Sequence, residues 1–444
     1  MAATLNLADE IIIGTPSRAA AYPRCFVGLT ILDEDWGAGT ATTHNVGVIP
    51  REVEIERNDS RTADTARVVL DLRDFPMDPR TVRSCLVRVL MGDVATPAAL
   101  PSDEQRVFIG YLDAPESNRG EDGSTVTLEC RDYTSLFLDH QWQDGLIDVS
   151  KPLSDVVAAI VGTVSASAIS TVYSAGAASA VLADAIGRPK FAPQKDDNAW
   201  TVLTDLCGRL GLIPVFALDV LMILSPEDFG ADPVTYATTG RTVKQAAEYQ
   251  YGVDLDRLQV RRSFKEARQK QIEVRCWDPV ARKATTARYP TSAIVTSKKV
   301  ASDGKVSTDV APLLPWYVTG TYPAADLAAL AQSIWRQAAR EEIELTIQTR
   351  RIAPALGNGA RINVTVAPTL TTDIAGLTPP QAVAKLTSGP RALAADVAEA
   401  FVAGFSTAQN LSSDYYLRSA KHKWSREDGF TSEIVLVNYL MGPA

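Results

Sequence analysis

Apolar and polar residues alternate along much of the chain, with the period of two that is typical of half-buried β-strands. In Arg51–Arg57, Val53 and Ile55 alternate with glutamates, which predicts a strand with one buried and one charged face. The same pattern returns at Cys25–Thr30, Arg67–Asp74 and Ser84–Leu90. Together with the hairpin described next, these stretches predict about six antiparallel strands in roughly 110 residues, which fits a small barrel or sandwich.

A long hairpin pattern occurs twice, at Val107–Cys130 and again at Asp414–Val437. Each copy has a strand-like run, a polar stretch that ends in Glu-Asp-Gly, and a second alternating strand. The glycine that closes each triplet, Gly123 or Gly429, supplies the positive φ that a tight hairpin turn requires. Two related β modules about 300 residues apart predict a duplicated domain, and a duplicated β module suits a protein that builds rings.

Between these modules the pattern changes to helices and short strands. A helix is expected at Lys151–Val161, stopped by Gly162, whereas little structure is expected in the alanine- and serine-rich stretch Ser165–Ala185. Asp197 or Asn198 is expected to N-cap a second helix that ends at Gly211. The apolar face of this helix comprises Trp200, Leu203, Leu206, Cys207 and Leu210. Two short strands follow at Leu212–Ala217 and Val220–Leu224.

A second β-rich region begins near Tyr249 and is interrupted by helices. Its predicted strands are Gln259–Ser263, Gln271–Trp277, Lys283–Tyr289, Glu342–Arg350 and Ala360–Val366. Ala324–Arg340 is expected to be a helix with one apolar stripe that packs on the core. That stripe comprises Leu327, Leu330, Ala331, Ile334, Trp335 and Ala338. Thr378–Ala403 is expected to be an inserted helical segment with a Pro-Pro pair at its entry.

These patterns predict an α+β fold that is mainly β. We expect two similar antiparallel β-barrel domains with a smaller α+β domain between them and helical insertions. The predicted boundaries are an N-terminal arm at 1–22, a first β-barrel domain at 23–149, a small α+β domain at 150–248 and a second β-barrel domain at 249–444. The helical insertions into the last domain lie at about 324–340 and 378–403.

Length and composition are those of a globular protein with several domains. The chain has 444 residues, of which 46% are hydrophobic and 22% charged, and this length predicts two to four domains. No apolar run reaches the roughly 18 residues of a membrane span. The first 16 residues have no basic region and only a three-residue apolar stretch, so we expect no signal peptide and synthesis in the cytoplasm.

The cysteines and the net charge narrow the possibilities further. Five scattered cysteines without a CxxC pair indicate buried free thiols in a reducing compartment and argue against a zinc site. They are Cys25, Cys85, Cys130, Cys207 and Cys276. The net charge of −9 argues against wrapping nucleic acid on a basic face. It is consistent with a protein that lets DNA slide through an acidic channel.

One segment is basic against this acidic background. Residues 252–300 contain 12 Lys and Arg against 5 Asp and Glu. Two interpretations remain open: the solvated outer faces of strands, or a surface that docks an acidic partner.

The sequence contains none of the familiar catalytic motifs for phosphate binding, dinucleotide binding, zinc proteolysis or serine hydrolysis. Its three histidines, His44, His140 and His422, are few for histidine-based catalysis or metal binding. We expect His422 to be a strand residue in a polar rim and the acidic triplet Asp33–Asp35 to be a solvated turn rather than a calcium loop. We therefore predict no catalytic residue, no metal and no cofactor, and a function that resides in surfaces.

Four stretches resemble a known family. Phe108–Leu138 has a strand, Gly-Tyr, a polar loop, a strand and Arg-Asp-Tyr, and Ala199–Pro226 has a helix, Gly-Leu, a strand and a hairpin. Asp414–Leu440 is similar to the family's last hairpin, and Gln271–Lys283 to the start of its second barrel. In these features the chain resembles the baseplate hub proteins of bacteriophage tails, the late control protein D family. That family includes the hub part of type VI secretion spike proteins.

The resemblance implies a homotrimer in which each chain contributes two barrels, so that three chains form a pseudo-sixfold ring. It implies a tail tube or distal tail protein on one side and a spike or central tip protein on the other. Tape-measure protein, and transiently DNA without sequence specificity, would pass through the enclosed channel. The location implied is the baseplate or tip of a virion tail, assembled in the host cytoplasm.

An enzyme is the alternative that the residues leave open. A β-rich cell-wall-degrading or carbohydrate-active enzyme could use a pair of carboxylates, and 53 acidic residues always offer some pair. No pair in the sequence stands out.

Overall fold

A computed structural model describes most of the chain between residues 22 and 437. The described residues are 22–34, 41–58, 62–75, 78, 82–96, 98–101, 105–120, 123–143, 145–164, 169–183, 189–194, 196–225, 228, 234–236, 241–243, 246–250, 255–262, 271–278, 282–292, 295–300, 306–310, 313–318, 327–328, 330–332, 334–335, 343–350, 361–365, 379–387 and 413–437. Strands dominate, with a smaller share of helix, so the predicted α+β, mainly β class is confirmed.

The strands of the first half and middle are β1 Tyr22–Glu34, β2 Ala41–Val48, β3 Glu52–Arg57, β4 Thr65–Asp71, β5 Val82–Val94, β6 Arg106–Gly120, β7 Gly123–Asp132, β8 Ile147–Asp148, β9 Ser170–Tyr173, β10 Lys190–Phe191, β11 Ile213–Ala217 and β12 Val220–Leu224. Those of the second half are β13 Val234–Tyr236, β14 Arg241–Val243, β15 Ala246–Gln250, β16 Arg257–Arg262, β17 Gln271–Asp278, β18 Lys283–Tyr289, β19 Val295–Val300, β20 Val306–Val310, β21 Leu313–Val318, β22 Ile343–Thr349, β23 Arg361–Thr365, β24 Ser413–Ser425 and β25 Gly429–Val437. The helices are α1 Thr134–Asp139, α2 Leu153–Val164, α3 Ala199–Gly208 and α4 Pro379–Leu386.

Both ends of the chain contribute to one large sheet. Its strand order is β2-β1-β5-β6-β7-β4-β3-β24-β25-β22-β16, and β23 and β15 extend it beside β24. The long strand β24 is the branch point, because it pairs with β25, with β23 through its first residues and with β3 through its last.

The two halves of this sheet have the same topology. In the first half, strands β3, β4, β5, β6 and β7 follow one another in the chain and lie in the sheet as β3-β4-β7-β6-β5. In the second half, β16, β22, β23, β24 and β25 lie as β16-β22-β25-β24-β23. All eight of these pairings are antiparallel. The five-strand motif is therefore present twice, as the repeated hairpin pattern predicts.

The prediction of two closed barrels is wrong for the single chain. A closed barrel requires its first and last strands to pair. Among the described strands, β2 and β16 end the main path of the sheet, and β3 leaves its own half to pair with β24. Alternating polarity predicts strands and their buried faces, but it does not determine which sheet edges meet.

Most of a second hydrophobic core comes from described residues between Tyr133 and Ile223, and Ile109 of β6 also belongs to it. Phe137, Trp200 and Phe216 form its aromatic centre, with ring centroids 5.5 to 6.0 Å apart. The side chain of Asn198 accepts a hydrogen bond from the backbone N–H of Thr201 at 2.8 Å, which confirms an N-cap at the second helix.

Two expectations for this region are wrong. Helix α2 continues through Gly162 to Val164, because one glycine weakens a helix without ending it. The alanine- and serine-rich stretch contains β9, which pairs in parallel with β12. Within this stretch, Thr171, Val172 and Tyr173 are residue types that favour strands, although their alanine- and serine-rich surroundings do not. The acidic triplet also differs from expectation, since Asp33 and Glu34 lie in β1 rather than in a turn.

A further unit lies between β16 and β22, where the first half has only a short connection. Strands β18, β17 and β21 form a sheet, and Ile272, Val274 and Cys276 of β17 pack against helical residues. Those helical residues are Leu327, Ala331 and Ile334, with Leu330 and Trp335 beside them. The predicted apolar stripe is thus confirmed within the described residues. Ala338, the arm 1–21 and most of the predicted segment Thr378–Ala403 lie outside them.

Candidate assembly surface

Each long hairpin carries one β-bulge, and the two bulges occupy equivalent positions. Asp113 is the extra residue opposite β7, and Arg418 is the extra residue opposite β25. Seven residues beyond its bulge each outgoing strand reaches the turn, at Gly120 and at Ser425. A bulge bends its strand and changes where the following residues point. The bulge therefore divides each hairpin into a base and a distal part that runs in a different direction.

We call these distal segments the first arm, residues 114–120, and the second arm, residues 419–425. The second arm pairs antiparallel with β3, from Ala420 opposite Arg57 to Ser425 opposite Glu52. We call this pairing the seam. It joins the C-terminal hairpin to the N-terminal half and makes the two half-sheets continuous.

Opposite charges line the outer face of the seam. Lys421 contacts both Glu54 and Glu56, the latter at 2.5 Å, and Lys423 lies 3.0 Å from Glu54. Burial opposes ionisation of Glu54, but hydrogen bonds from the two lysines outweigh it and lower the pKa of this carboxyl. Cross-strand pairs of opposite charge favour one register over its neighbours.

Aromatic side chains fill the inner face of the seam. Trp424 of the second arm and Phe430 of β25 are buried in the core of the first half, where Val53 and Ile55 also lie. All six ladder positions of β3 thus face residues that originate about 370 positions later in the chain. The first half is consequently completed by the last hairpin.

His422 lies on the same inner face and is buried. Its Nδ1 is hydrogen-bonded to the hydroxyl of Ser432, and its ring stacks on Phe430 with centroids 6.0 Å apart. Burial, and next the positive charge of Arg57, lower the pKa of His422 to about 3. The imidazole is therefore neutral at physiological pH. The expectation that it belongs to a polar rim is wrong, since it is a core residue.

The turn of the C-terminal hairpin is fixed to the first half by Arg426. Its Nε donates to the carbonyl of Pro50 at 2.9 Å and its Nη2 to the carbonyl of Ile49 at 2.8 Å. Its backbone N–H donates to the carbonyl of Arg51 at 3.2 Å, and its Nη1 lies 3.4 Å from Asp71. A single guanidinium therefore binds both the loop before β3 and the end of β4.

An open cleft of about 930 Å³ lies beside this turn. It is lined by the end of β2, by Arg24 and Asp74, and by the hairpin turn with Glu427 and Asp428. Neither histidine nor cysteine is among the described residues that line it. The lining mixes two arginines with carboxylates on an exposed turn and does not form an enclosed catalytic pocket.

The first arm is the counterpart of the second arm, and β16 is the counterpart of β3. Among the described strands, none pairs with the first arm or with β16 at the edge that corresponds to the seam. Residues 116–120 of the first arm are exposed, and β16 ends the sheet. Val260 of β16 is 39% exposed, whereas the equivalent Ile55 of β3 is fully buried at the seam. A single chain therefore presents two sheet edges of the kind that the seam covers.

Comparison with solved structures identifies the fold. A tail protein from Neisseria meningitidis MC58 matches with a TM-score of 0.55 and 15% identity, over 93% of this chain and 96% of that chain. The fold is that of known tail proteins. The 43 kDa tail protein of prophage MuSo2 from Shewanella oneidensis matches with a TM-score of 0.50 and 11% identity, over 93% of this chain and 98% of that chain. No protein-family model and no curated protein sequence matches the chain.

The described residues contain one notable pair of neighbouring acids, away from the cleft. Asp132 is buried, and burial together with the neighbouring Asp64 raises its pKa. Its carboxylate accepts hydrogen bonds from the backbone N–H and the hydroxyl of Thr134. These contacts order the start of α1, which is a structural role. Within the described part of the chain, no group of three or more His, Cys, Asp or Glu residues is arranged to hold a metal ion, and no helix there is long and apolar enough to cross a membrane.

Sequence reasoning found the two hairpins but missed the seam. A signal was present, because Lys421 and Lys423 alternate on one face of the second arm and three glutamates alternate on β3. The apolar Trp424 on an otherwise polar arm was a second signal. These features point to a partner strand only when the distant segments are compared with each other.

Proposed function

We propose that the protein is a structural component of a phage or phage-like tail, and that it forms the trimeric hub at the tail tip. Three chains would contribute six similar β modules around one axis. A pseudo-sixfold ring of this kind could contact a sixfold tail tube on one side and a threefold spike or tip on the other.

The observation that carries this proposal is the duplicated five-strand motif joined through the seam. Within one chain, the second arm covers the edge strand of the first half. The equivalent edges, the first arm and β16, are exposed and belong to opposite halves. Two different edges that can each pair with a copy of the other make a head-to-tail contact, and such contacts generate closed rings when the rotation fits.

The tail-protein fold supports the same location, the tail of a virion or related particle. The partners we propose are a tail tube or distal tail protein, a spike or central tip protein and the tape-measure protein. DNA would pass through the enclosed channel without sequence-specific contacts. The proposal includes no catalytic step.

The test is the mass and shape of the purified protein. Light scattering on a size-exclusion column should give about 143 kDa, three times the 47.8 kDa of the chain. Negative-stain images should show rings with six lobes around a central opening. A protein that stays monomeric at high concentration would overturn the proposal. Clearing of a peptidoglycan suspension by the purified protein would instead favour the enzyme.

A further inference from the structure

We infer that in the ring the first arm of one copy pairs with β16 of a second copy. Glu116 of the first arm and Arg261 of β16 carry opposite charges, and charge decides which arm pairs with which edge strand. This inference rests on the proposed ring and identifies the contact that would close it. It also gives a role to part of the basic segment 252–300, for which solvation and docking of an acidic partner both remained open.

The register of the pairing between copies follows from matching the rows of ladder partners that cross the two half-sheets. In the first half, ladder pairs connect Tyr111 to Arg131, Arg131 to Thr65 and Thr65 to Glu56. In the second half, the equivalent row runs from Tyr416 through Val437 and Glu344 to Arg261. Tyr111 and Tyr416 are matched because each lies two residues before its bulge. Arg261 of β16 therefore occupies the place that Glu56 has on β3.

The seam within the chain then gives the pairing between chains. Lys421 lies opposite Glu56 in the seam, and the residue of the first arm equivalent to Lys421 is Glu116. Transfer of this register to the exposed edges places Glu116 opposite Arg261. Pro115, at the base of the first arm, has no N–H to donate, so the pairing runs over Glu116–Gly120.

The charges are inverted at each of these equivalent positions. The bulge residue is Asp113 in the first hairpin and Arg418 in the second, and each has a partner of opposite charge. The arm residue is acidic in the first and basic in the second, and the edge strand is acidic in β3 and basic at Arg261. Arg261 is 75% exposed and lies 3.8 Å from Glu344, so its guanidinium is accessible from the edge.

Inversion makes the wrong pairings repulsive. The first arm placed on β3 would set Glu116 opposite Glu56, and the second arm placed on β16 would set Lys421 opposite Arg261. Like charges directly opposite each other destabilise a strand pair, and such repulsion discriminates against wrong partners. The charges would thus make first and second halves alternate around the ring. The inner face is consistent with this order. The first arm of another copy would cover Val260, as the second arm covers the equivalent residue Ile55 within the chain.

The first experiment is a charge-swap cycle read out by trimer dissociation on dilution, using mass photometry of the full chain. Glu116→Arg and Arg261→Glu should each raise the concentration at half-dissociation by about tenfold or more. The double variant should return it towards the wild-type value. Asp196→Arg, an equal charge change at an exposed residue of the middle region, is the matched control and should have no effect.

The second experiment tests the register without relying on charge. Ser117 and Val260 are equivalent to His422 and Ile55, which lie opposite each other in the seam. Ser117→Cys combined with Val260→Cys should form disulfides between chains and give a covalent trimer on non-reducing gels. The five native cysteines are buried and should not interfere. Ser117→Cys with Gln259→Cys, one residue out of register, should give far less.

The outcomes separate this inference from the proposed function. A wild-type protein that forms no trimer overturns both. A wild-type trimer that is indifferent to both single reversals, or whose double variant is weaker than either single variant, overturns the charge-sorting inference and leaves the hub standing. A wild-type trimer without a cross-link at 117 and 260 overturns the register in the same way.

Discussion

Asp113 and Arg418 are the same structural residue with opposite charge. Each is the extra residue of the bulge in its hairpin, and each directly precedes an arm of seven residues. Asp113 lies 2.5 Å from Arg131, and Arg418 lies 2.8 Å from Glu344. The duplication has therefore preserved the backbone geometry of the bulge. Each bulge residue has an opposite charge beside it, but the two partners are not equivalent, because Arg131 matches Val437 and Glu344 matches Thr65 in the rows of the two half-sheets. Among the described strands, the second arm pairs with an edge strand of its own chain and the first arm does not.

Trp424 should be the residue on which the seam depends most. Its side chain is 3% exposed and lies in the core of the first half. Trp424→Ala should lower the free energy of unfolding by about 3–5 kcal/mol, as measured by urea denaturation, because it leaves a cavity. Trp424→Phe is the matched control and should cost clearly less, since it retains an aromatic ring and removes an indole N–H that has no hydrogen-bond partner among the described residues. Equal losses in the two variants would contradict the cavity argument.

Arg426 should contribute through its hydrogen bonds to backbone carbonyls. Arg426→Ala leaves the carbonyls of Pro50 and Ile49 without this donor and should cost about 1–3 kcal/mol of unfolding free energy. Glu427→Ala changes the exposed neighbouring residue and should stay within about 0.5 kcal/mol of the wild type. Thermal or urea denaturation of both variants is the measurement. A similar small effect in both variants would show that Arg426 does not anchor the hairpin turn to the first half.

The sequence predicts the local elements because those depend on neighbouring residues. Alternation locates β17 and β18, and the Glu-Asp-Gly triplets locate both hairpin turns. The Asn198 cap follows from its side chain, which competes for a nearby backbone N–H. The repeated hairpin also predicts the duplication, which the strand order of the two halves confirms.

The long-range features could not be predicted because they depend on residues that are distant in the chain. The seam requires Lys421 to meet Glu56, and nothing within either segment specifies the other. The burial of His422 follows from that pairing, so the sequence alone placed it at a polar rim. Strand β9 is only four residues long and lies in alanine- and serine-rich surroundings, so its pairing with the distant β12 is not visible in the local pattern.

Gly429 should be required for the turn of the second hairpin. Its φ is +74°, a region that L-residues with a side chain enter at a cost, although a Cβ there would meet only Pro23 at 3.9 Å. Gly429→Ala should therefore lower the free energy of unfolding by about 1–2 kcal/mol through backbone strain. Gly28→Ala is the control, because its φ is not positive and an added Cβ would likewise meet a neighbour, Arg88, only at 3.9 Å. Calorimetric melting temperatures that are equal for the two variants would contradict this role.

His422 should make the protein less stable in mild acid. Its pKa is about 3 when folded and about 6.5 in an unfolded chain, so below pH 6.5 the unfolded state binds the extra proton. Stability is therefore full above pH 6.5 and is lost as the pH falls towards 3. Glu54, whose pKa is also lowered by the seam, acts in the same direction but only below about pH 4.5.

The measurement that isolates His422 is urea denaturation at pH 7 and pH 5. This residue should account for about 2 kcal/mol of lost unfolding free energy between the two values. His422→Gln retains a group that can hydrogen-bond to Ser432 but cannot acquire the charge, so its stability should fall by about 2 kcal/mol less than that of the wild type over the same interval. Equal pH dependence in the two proteins would mean that the imidazole is solvated in the folded state. In that case the seam could not be the closed, dry contact through which the last hairpin completes the first half.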